Sequence, residues 1–153
     1  MKTAAAVLAT FFGVGMTPFA PGTAASAVAA LAYALALSGL PRPAYVLLVT
    51  ALIAAGTAAA GRYAAALGRP DPGRIVVDEV CGQLVALAFL PGEWPIVAAS
   101  FALFRFFDIL KPWPIRKLEK LAGGPGIMAD DIGAGLAAAA AVRLALLALR
   151  AAG

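Results

Sequence analysis

Phe104–Asp131 reads FRFFDILKPWPIRKLEKLAGGPGIMADD, and this stretch gathers four of the chain's eight acids and five of its twelve bases. It also holds the Lys111-Pro112-Trp113-Pro114 corner and a Gly-Gly-Pro-Gly turn at 123–126. The rest of the chain differs in character: 63% of the 153 residues are hydrophobic and 13% charged, with a mean hydropathy of +0.92. So apolar a chain reads as a small all-α integral membrane protein, a single domain over 1–153, rather than a water-soluble globule. The charged stretch is then the working face, and the apolar runs on either side hold it at a bilayer.

Immediately upstream lie VCGQLVALAFL (80–90) and IVAASFALF (96–104), separated by Pro91-Gly92-Glu93-Trp94-Pro95. Each supplies about 16 Å of helix against ~30 Å of hydrocarbon. The pair is therefore either a re-entrant hairpin or two helices lengthened by polar ends that protein shields. Residues 61–77 are polar and basic, with Arg62, Arg69, Arg74 and a Pro70-Asp71-Pro72-Gly73 turn. Before them, Ala44–Ala60 and a run ending at Leu40, for which Thr23 and Ser26 are candidate N-caps, flank the Pro41-Arg42-Pro43 break. Each is about 17 residues, near the lower limit for a span, and the short connection implies an antiparallel hairpin. GVGMTPFAPGT (13–23) reads as a loop, after a short helix over 3–12. Lys2 and the apolar run behind it superficially resemble a secretory leader, but Pro18 and Pro21 stand where cleavage would fall.

Downstream, Ile132–Leu149 is long enough to span and carries Arg143, which either snorkels or serves inside the membrane. The expected fold is four membrane-embedded helical segments, the middle pair short, with helical excursions near 3–12 and 113–121. Lys and Arg crowd 61–77 and 105–120. An even number of passes puts both loops, and 13–23 with them, on one side, and the positive-inside rule makes it cytoplasmic. The net charge of +4 suits an anionic membrane surface, and no basic-aromatic stripe suggests nucleic acid.

The acids cluster on that side. Asp78-Glu79 and Asp130-Asp131 each open a predicted helix with glycine about one turn on, and Asp108 lies three residues from both Arg105 and Lys111, as neighbours on a helix face would. Acids at helix N-termini can simply cap free N–H groups. Two acidic pairs plus Asp108 at membrane level instead suggest a cation site. The chain has no histidine and one cysteine, Cys81, so an all-oxygen site argues for Mg²⁺ over zinc or copper. Arg105, Lys111, Arg116 and Lys117 would complement a phosphate, or else Arg116, Lys117 and Lys120 anchor headgroups. Together these groups suggest metal-assisted phosphoryl chemistry. A cysteine phosphatase needs an arginine six residues beyond its cysteine, where Leu87 stands, and there is no Asp-x-Asp pair for an aspartyl-phosphate route. The competing readings are a carboxylate-lined cation transporter, whose acids would lie near the bilayer midplane, and a scaffold whose acids only cap helices.

Four blocks resemble the phosphatidylglycerophosphatase A family: GVGMTPFAPGT (13–23), IVVDEVCGQLVAL (75–87), FRFFDILKPWPI (104–115) and GGPGIMADDIGAG (123–135). They cover about a third of the chain in the family's order. The resemblance implies Mg²⁺-dependent removal of the terminal phosphate from phosphatidylglycerophosphate at the cytoplasmic face of a bacterial inner membrane. It implies Asp78, Glu79, Asp108, Asp130 and Asp131 as metal and catalytic carboxylates, and Arg105, Lys111 and Thr23 as substrate contacts. One departure is Ala25, where the family usually has glycine; either that position is packing or the N-terminal loop sits differently here.

Overall fold

The computed structural model describes residues 4–70 and 72–153, and among them all regular structure is helical. Lys2 and Asp71 lie outside the described residues, and the helix expected over 3–12 is seen as α1, Ala4–Ala9. Helix α2 spans Pro21–Leu35, with Pro21 in the first turn where no N–H is needed. Its N-cap is Ala20 rather than Thr23 or Ser26; Ser26 Oγ donates back to the Gly22 carbonyl at 2.9 Å inside the helix. The expected run to Leu40 stops early, replaced by a 3₁₀ turn at Leu37–Gly39.

Helix α3, Arg42–Leu67, runs a full turn and more beyond Ala60 before Gly68 closes it in the left-handed region. The alanines at 64–66 favour helix, so half of the stretch read as a polar loop is helical. Helix α4 is Val77–Leu87 and α5 is Trp94–Leu110. Polar residues after Phe104 lengthen α5, and its Asp108 is buried, as the shielded-ends alternative requires. After a single turn, α6 at Ile115–Leu118, the 30-residue α7 covers Gly123–Ala152. Among the described residues five helices have eleven residues or more, against four expected embedded segments, and the break at 91–93 separates α4 from α5 as expected of the short pair.

Helix α4 is the axle: nine of its eleven residues are buried, and α2, α3, α5 and α7 all pack on it. Its approach to α7 is backbone against backbone. A Cβ on Gly135 would lie 2.3 Å from the Gly82 carbonyl oxygen, and one on Gly82 would lie 2.6 Å from the Asp131 carbonyl oxygen. Only residues without side chains permit this crossing. Away from it, Tyr33 donates to the Leu90 carbonyl at 2.5 Å and Tyr45 to the Leu84 carbonyl at 2.7 Å. Arg143 donates to the carbonyl of Ala88, the residue that caps α4. A cation on an orphan carbonyl at a helix C-terminus is favourable, which accounts for the lone charge in the last apolar run.

Helices α3 and α7 are long and apolar enough to cross a membrane, yet only 28% of the most apolar window of each is buried. A core helix of a soluble protein would be covered. Here Leu47, Leu136, Leu144 and Leu147 point outward, as do Leu31 and Leu35 of α2. Such a surface belongs to a membrane protein.

Candidate active site

The helices deliver their polar residues to one end of the bundle. Asp78 and Glu79 occupy the first turn of α4, Asp108 the last turn of α5, and Asp130 and Asp131 lie two turns into α7. The expectation that Asp130-Asp131 open a helix is corrected here. Pro125 has its missing N–H in the first turn, so Gly123–Gly126, read as a turn, is helix already. Capping does not explain Asp130 and Asp131, which lie inside α7 and not at its start.

All five acids, with Lys111, line one cavity of about 370 Å³. Carboxylate oxygens of Asp78, Glu79 and Asp131 lie within 4.8 Å of one another. Asp78 Oδ1, Glu79 Oε2 and Asp130 Oδ1 are buried without a hydrogen-bond partner. Glu119 joins the lining, so among the described residues six carboxyl groups and one ammonium line the cavity. Like charges crowded at low dielectric either take up protons or draw positive charge to them. The start of α2 contributes too. A Cβ on Gly22 would lie 2.0 Å from Glu79 Oε1, so the N-terminal end of that helix, with its positive dipole end, abuts the Glu79 carboxylate.

The cations are arranged otherwise than the spacing suggests. Helix α5 stops at Leu110, and Lys111 adopts a left-handed backbone, φ 43°. Its Nζ donates to Asp130 Oδ2 at 2.5 Å and to Glu119 Oε1 at 2.7 Å, not to Asp108. Burial alone would lower the lysine's pKa, but these two carboxylates outweigh it and hold the pKa above its usual value. Arg105 Nη1 donates to Asp108 Oδ2 at 2.5 Å. Neither Arg105 nor Thr23 lines the cavity; Thr23 follows Gly22 in the first turn of α2, half-buried. Ala25 is fully buried in the core between α2 and its neighbours, so that position is packing. Glu119 stands outside the motif acids, set among Arg116, Lys117 and Lys120 with no sequence signal that ties it to the site. Its contact with Lys111, eight residues away, and its place in the cavity lining bring it into the site.

Fold and site together define a helical membrane protein with a recessed, carboxylate-walled well at one end of the bundle. Comparison with known proteins makes the class specific. The family model for Phosphatidylglycerophosphatase A matches residues 7–146. An Escherichia coli protein named Phosphatidylglycerophosphatase A is 42% identical over 135 residues, 87% of this chain and 78% of its own length. A Haemophilus influenzae protein of the same name is 41% identical over 82% of this chain and 78% of its own. A Bacteroides thetaiotaomicron protein, described provisionally as a phosphatidylinositol-3-phosphatase, is 41% identical over 85% of this chain and 86% of its own. No solved structure matches. The chain belongs to the phosphatidylglycerophosphatase A family and is an enzyme, a phosphoric monoester hydrolase.

Proposed function

We propose that this chain hydrolyses the terminal phosphomonoester of phosphatidylglycerophosphate to phosphatidylglycerol and inorganic phosphate, with Mg²⁺ and a water nucleophile and without a covalent phosphoenzyme. The observation that carries the reading is the convergence of all five motif acids on one cavity with buried, unpartnered oxygens. The donor set fits the metal: it is all oxygen, closely spaced and strongly negative. Asp78, Glu79 and Asp131 would hold the cation, with Asp108 and Asp130 beside them. Bound there, Mg²⁺ supplies charge neutralisation for the phosphate and lowers the pKa of a water.

The chain's own groups do the rest. Lys111 gives the incoming phosphate oxygens a protonated donor and, in turning to them, loosens its hold on Asp130 and Glu119. A carboxylate of the cluster accepts the proton of the attacking water. The water oxygen bonds to phosphorus, the bond from phosphorus to the glycerol oxygen breaks, and that oxygen takes up a proton as phosphatidylglycerol leaves. A phosphocysteine has no support, since Cys81 is fully buried and does not line the cavity.

The site end carries Arg62, Arg69, Arg74, Arg116, Lys117 and Lys120 in its loops and helix ends. By the positive-inside rule it faces the cytoplasm of a multi-pass protein in the bacterial inner membrane. A cation transporter has less support, because the acids form one recessed well and not a path along the bundle. The test is phosphate release from phosphatidylglycerophosphate in detergent micelles, with Mg²⁺ and then with excess EDTA. Release that EDTA abolishes is expected. No release from folded protein, with Mg²⁺ and in both lipid and detergent, refutes the reading. Phosphatidylinositol 3-phosphate belongs in the same assay, given the description of the Bacteroides relative.

A further inference from the structure

Beside the acidic well lies a second concavity of about 420 Å³, and its chemistry is opposite. Lys111, Arg116, Lys117 and Lys120 line it, with Leu110 and Trp113. Arg116, Lys117 and Lys120 are exposed and make no ion pair among the described residues. Lys117 Nζ sits 5.3 Å from the centre of the Trp113 ring, a cation–π contact that fixes the ammonium over the shelf. Trp113 is 75% exposed and Leu110 is exposed beside it. An exposed tryptophan among basic residues at the end of an apolar helix belongs at headgroup depth. Lys111 is common to both concavities, so the shelf begins where the well ends.

We propose that this shelf binds the phosphodiester of the substrate, and so selects lipids that carry both a bilayer-proximal diester and a distal monoester. The proposal rests on the phosphatase reading of the well and deepens it. A phosphomonoester seated against Lys111 leaves the lipid's diester one short polyol linker away, on the bilayer side. Adjoining Lys111, the shelf presents three cations that make no ion pair among the described residues. Phosphatidic acid, whose monoester is attached directly to diacylglycerol, has no second phosphate to place there. Phosphatidylglycerophosphate and phosphatidylinositol 3-phosphate both do.

The experiment uses the full chain in neutral-detergent micelles, where no anionic surface competes. The triple variant Arg116→Ala, Lys117→Ala, Lys120→Ala alters only exposed side chains and is assayed on phosphatidylglycerophosphate and on phosphatidic acid. The ratio of their kcat/KM values is expected to fall about tenfold, chiefly through KM for the diester lipid, as expected for losing a charge-assisted hydrogen bond. An unchanged ratio overturns the proposal, whatever happens to the absolute rates. A second readout does not depend on turnover. In a Trp94→Phe background Trp113 is the one remaining tryptophan, and its emission is followed as phosphatidylglycerol is added. A saturable change, absent with diacylglycerol and lost in the triple variant, supports the shelf; a flat titration overturns it. Failure of the unaltered chain to release phosphate from any lipid overturns the reading of the well, and the titration still judges the shelf separately.

Discussion

Adding one methyl group at Gly135 tests whether the α4–α7 crossing sets the active site. A Cβ there would meet the Gly82 carbonyl oxygen at 2.3 Å, where ordinary contact begins near 3.4 Å. The shortfall is about 1.1 Å, and the obstacle is backbone, which has no rotamer to escape into. The two helices must part by roughly that distance or the variant must distort. Overpacking of this kind costs about 1–3 kcal/mol. The consequence for catalysis is larger, because Asp78 and Glu79 ride on one helix and Asp131 on the other, with oxygens now within 4.8 Å. A misplacement near 1 Å costs on the order of 10²-fold in rate. Gly135→Ala is therefore expected to lower phosphate release about 100-fold and the thermal midpoint in detergent by several degrees. Gly133→Ala is the control. Its Cβ would lie 2.9 Å from Leu118 Cδ1, a flexible side-chain end that can swing away, so activity should stay within about threefold. Full activity in Gly135→Ala, or equal loss in both variants, would refute the argument that this crossing spaces the acids.

Three further outcomes are expected. Asp78→Asn and Asp131→Asn should each lower phosphate release by about 10²-fold or more while leaving the thermal midpoint intact or higher, since each relieves repulsion in a buried acidic cluster; retained activity in either folded variant counts against the metal site. Lys111→Met should lower kcat/KM by about 10–100-fold, with Lys111→Arg recovering only part of it because a planar guanidinium cannot match a point charge between Asp130 and Glu119; steady-state kinetics on both variants decide it. Arg143→Leu should leave turnover per folded molecule unchanged but cost about 1–3 kcal/mol by stranding the Ala88 carbonyl, read from denaturation in detergent.

What the sequence disclosed and what it hid follow a physical division. Local signals were sound: Asp78-Glu79 do open a helix, and Arg105 pairs with Asp108 at the i,i+3 spacing. The apolar runs are helices, because hydrophobicity and alanine content act residue by residue. Helix ends were less legible. Gly123–Gly126 has the composition of a turn, yet tertiary packing against α3 fixes it as helix: a Cβ on Gly124 would lie 2.1 Å from the Thr57 carbonyl oxygen. Contacts distant in sequence were the least legible. Nothing near Lys111 announces Asp130, nineteen residues on, and nothing near Gly22 announces Glu79. These pairings exist only after five helices have been brought together.

The enclosure of α4 has a consequence for how the bilayer acts on this enzyme. The helix that carries the first acidic pair is sheathed by α2, α3, α5 and α7 and has almost no surface of its own. The outward-pointing leucines lie on α2, α3 and α7, so an apolar surrounding meets Asp78 and Glu79 only through the sheath, whereas Asp131 rides on a helix that it touches directly. A change in that surrounding is therefore expected to reach the site through α7, as a change in the spacing of Asp131 from Asp78 and Glu79.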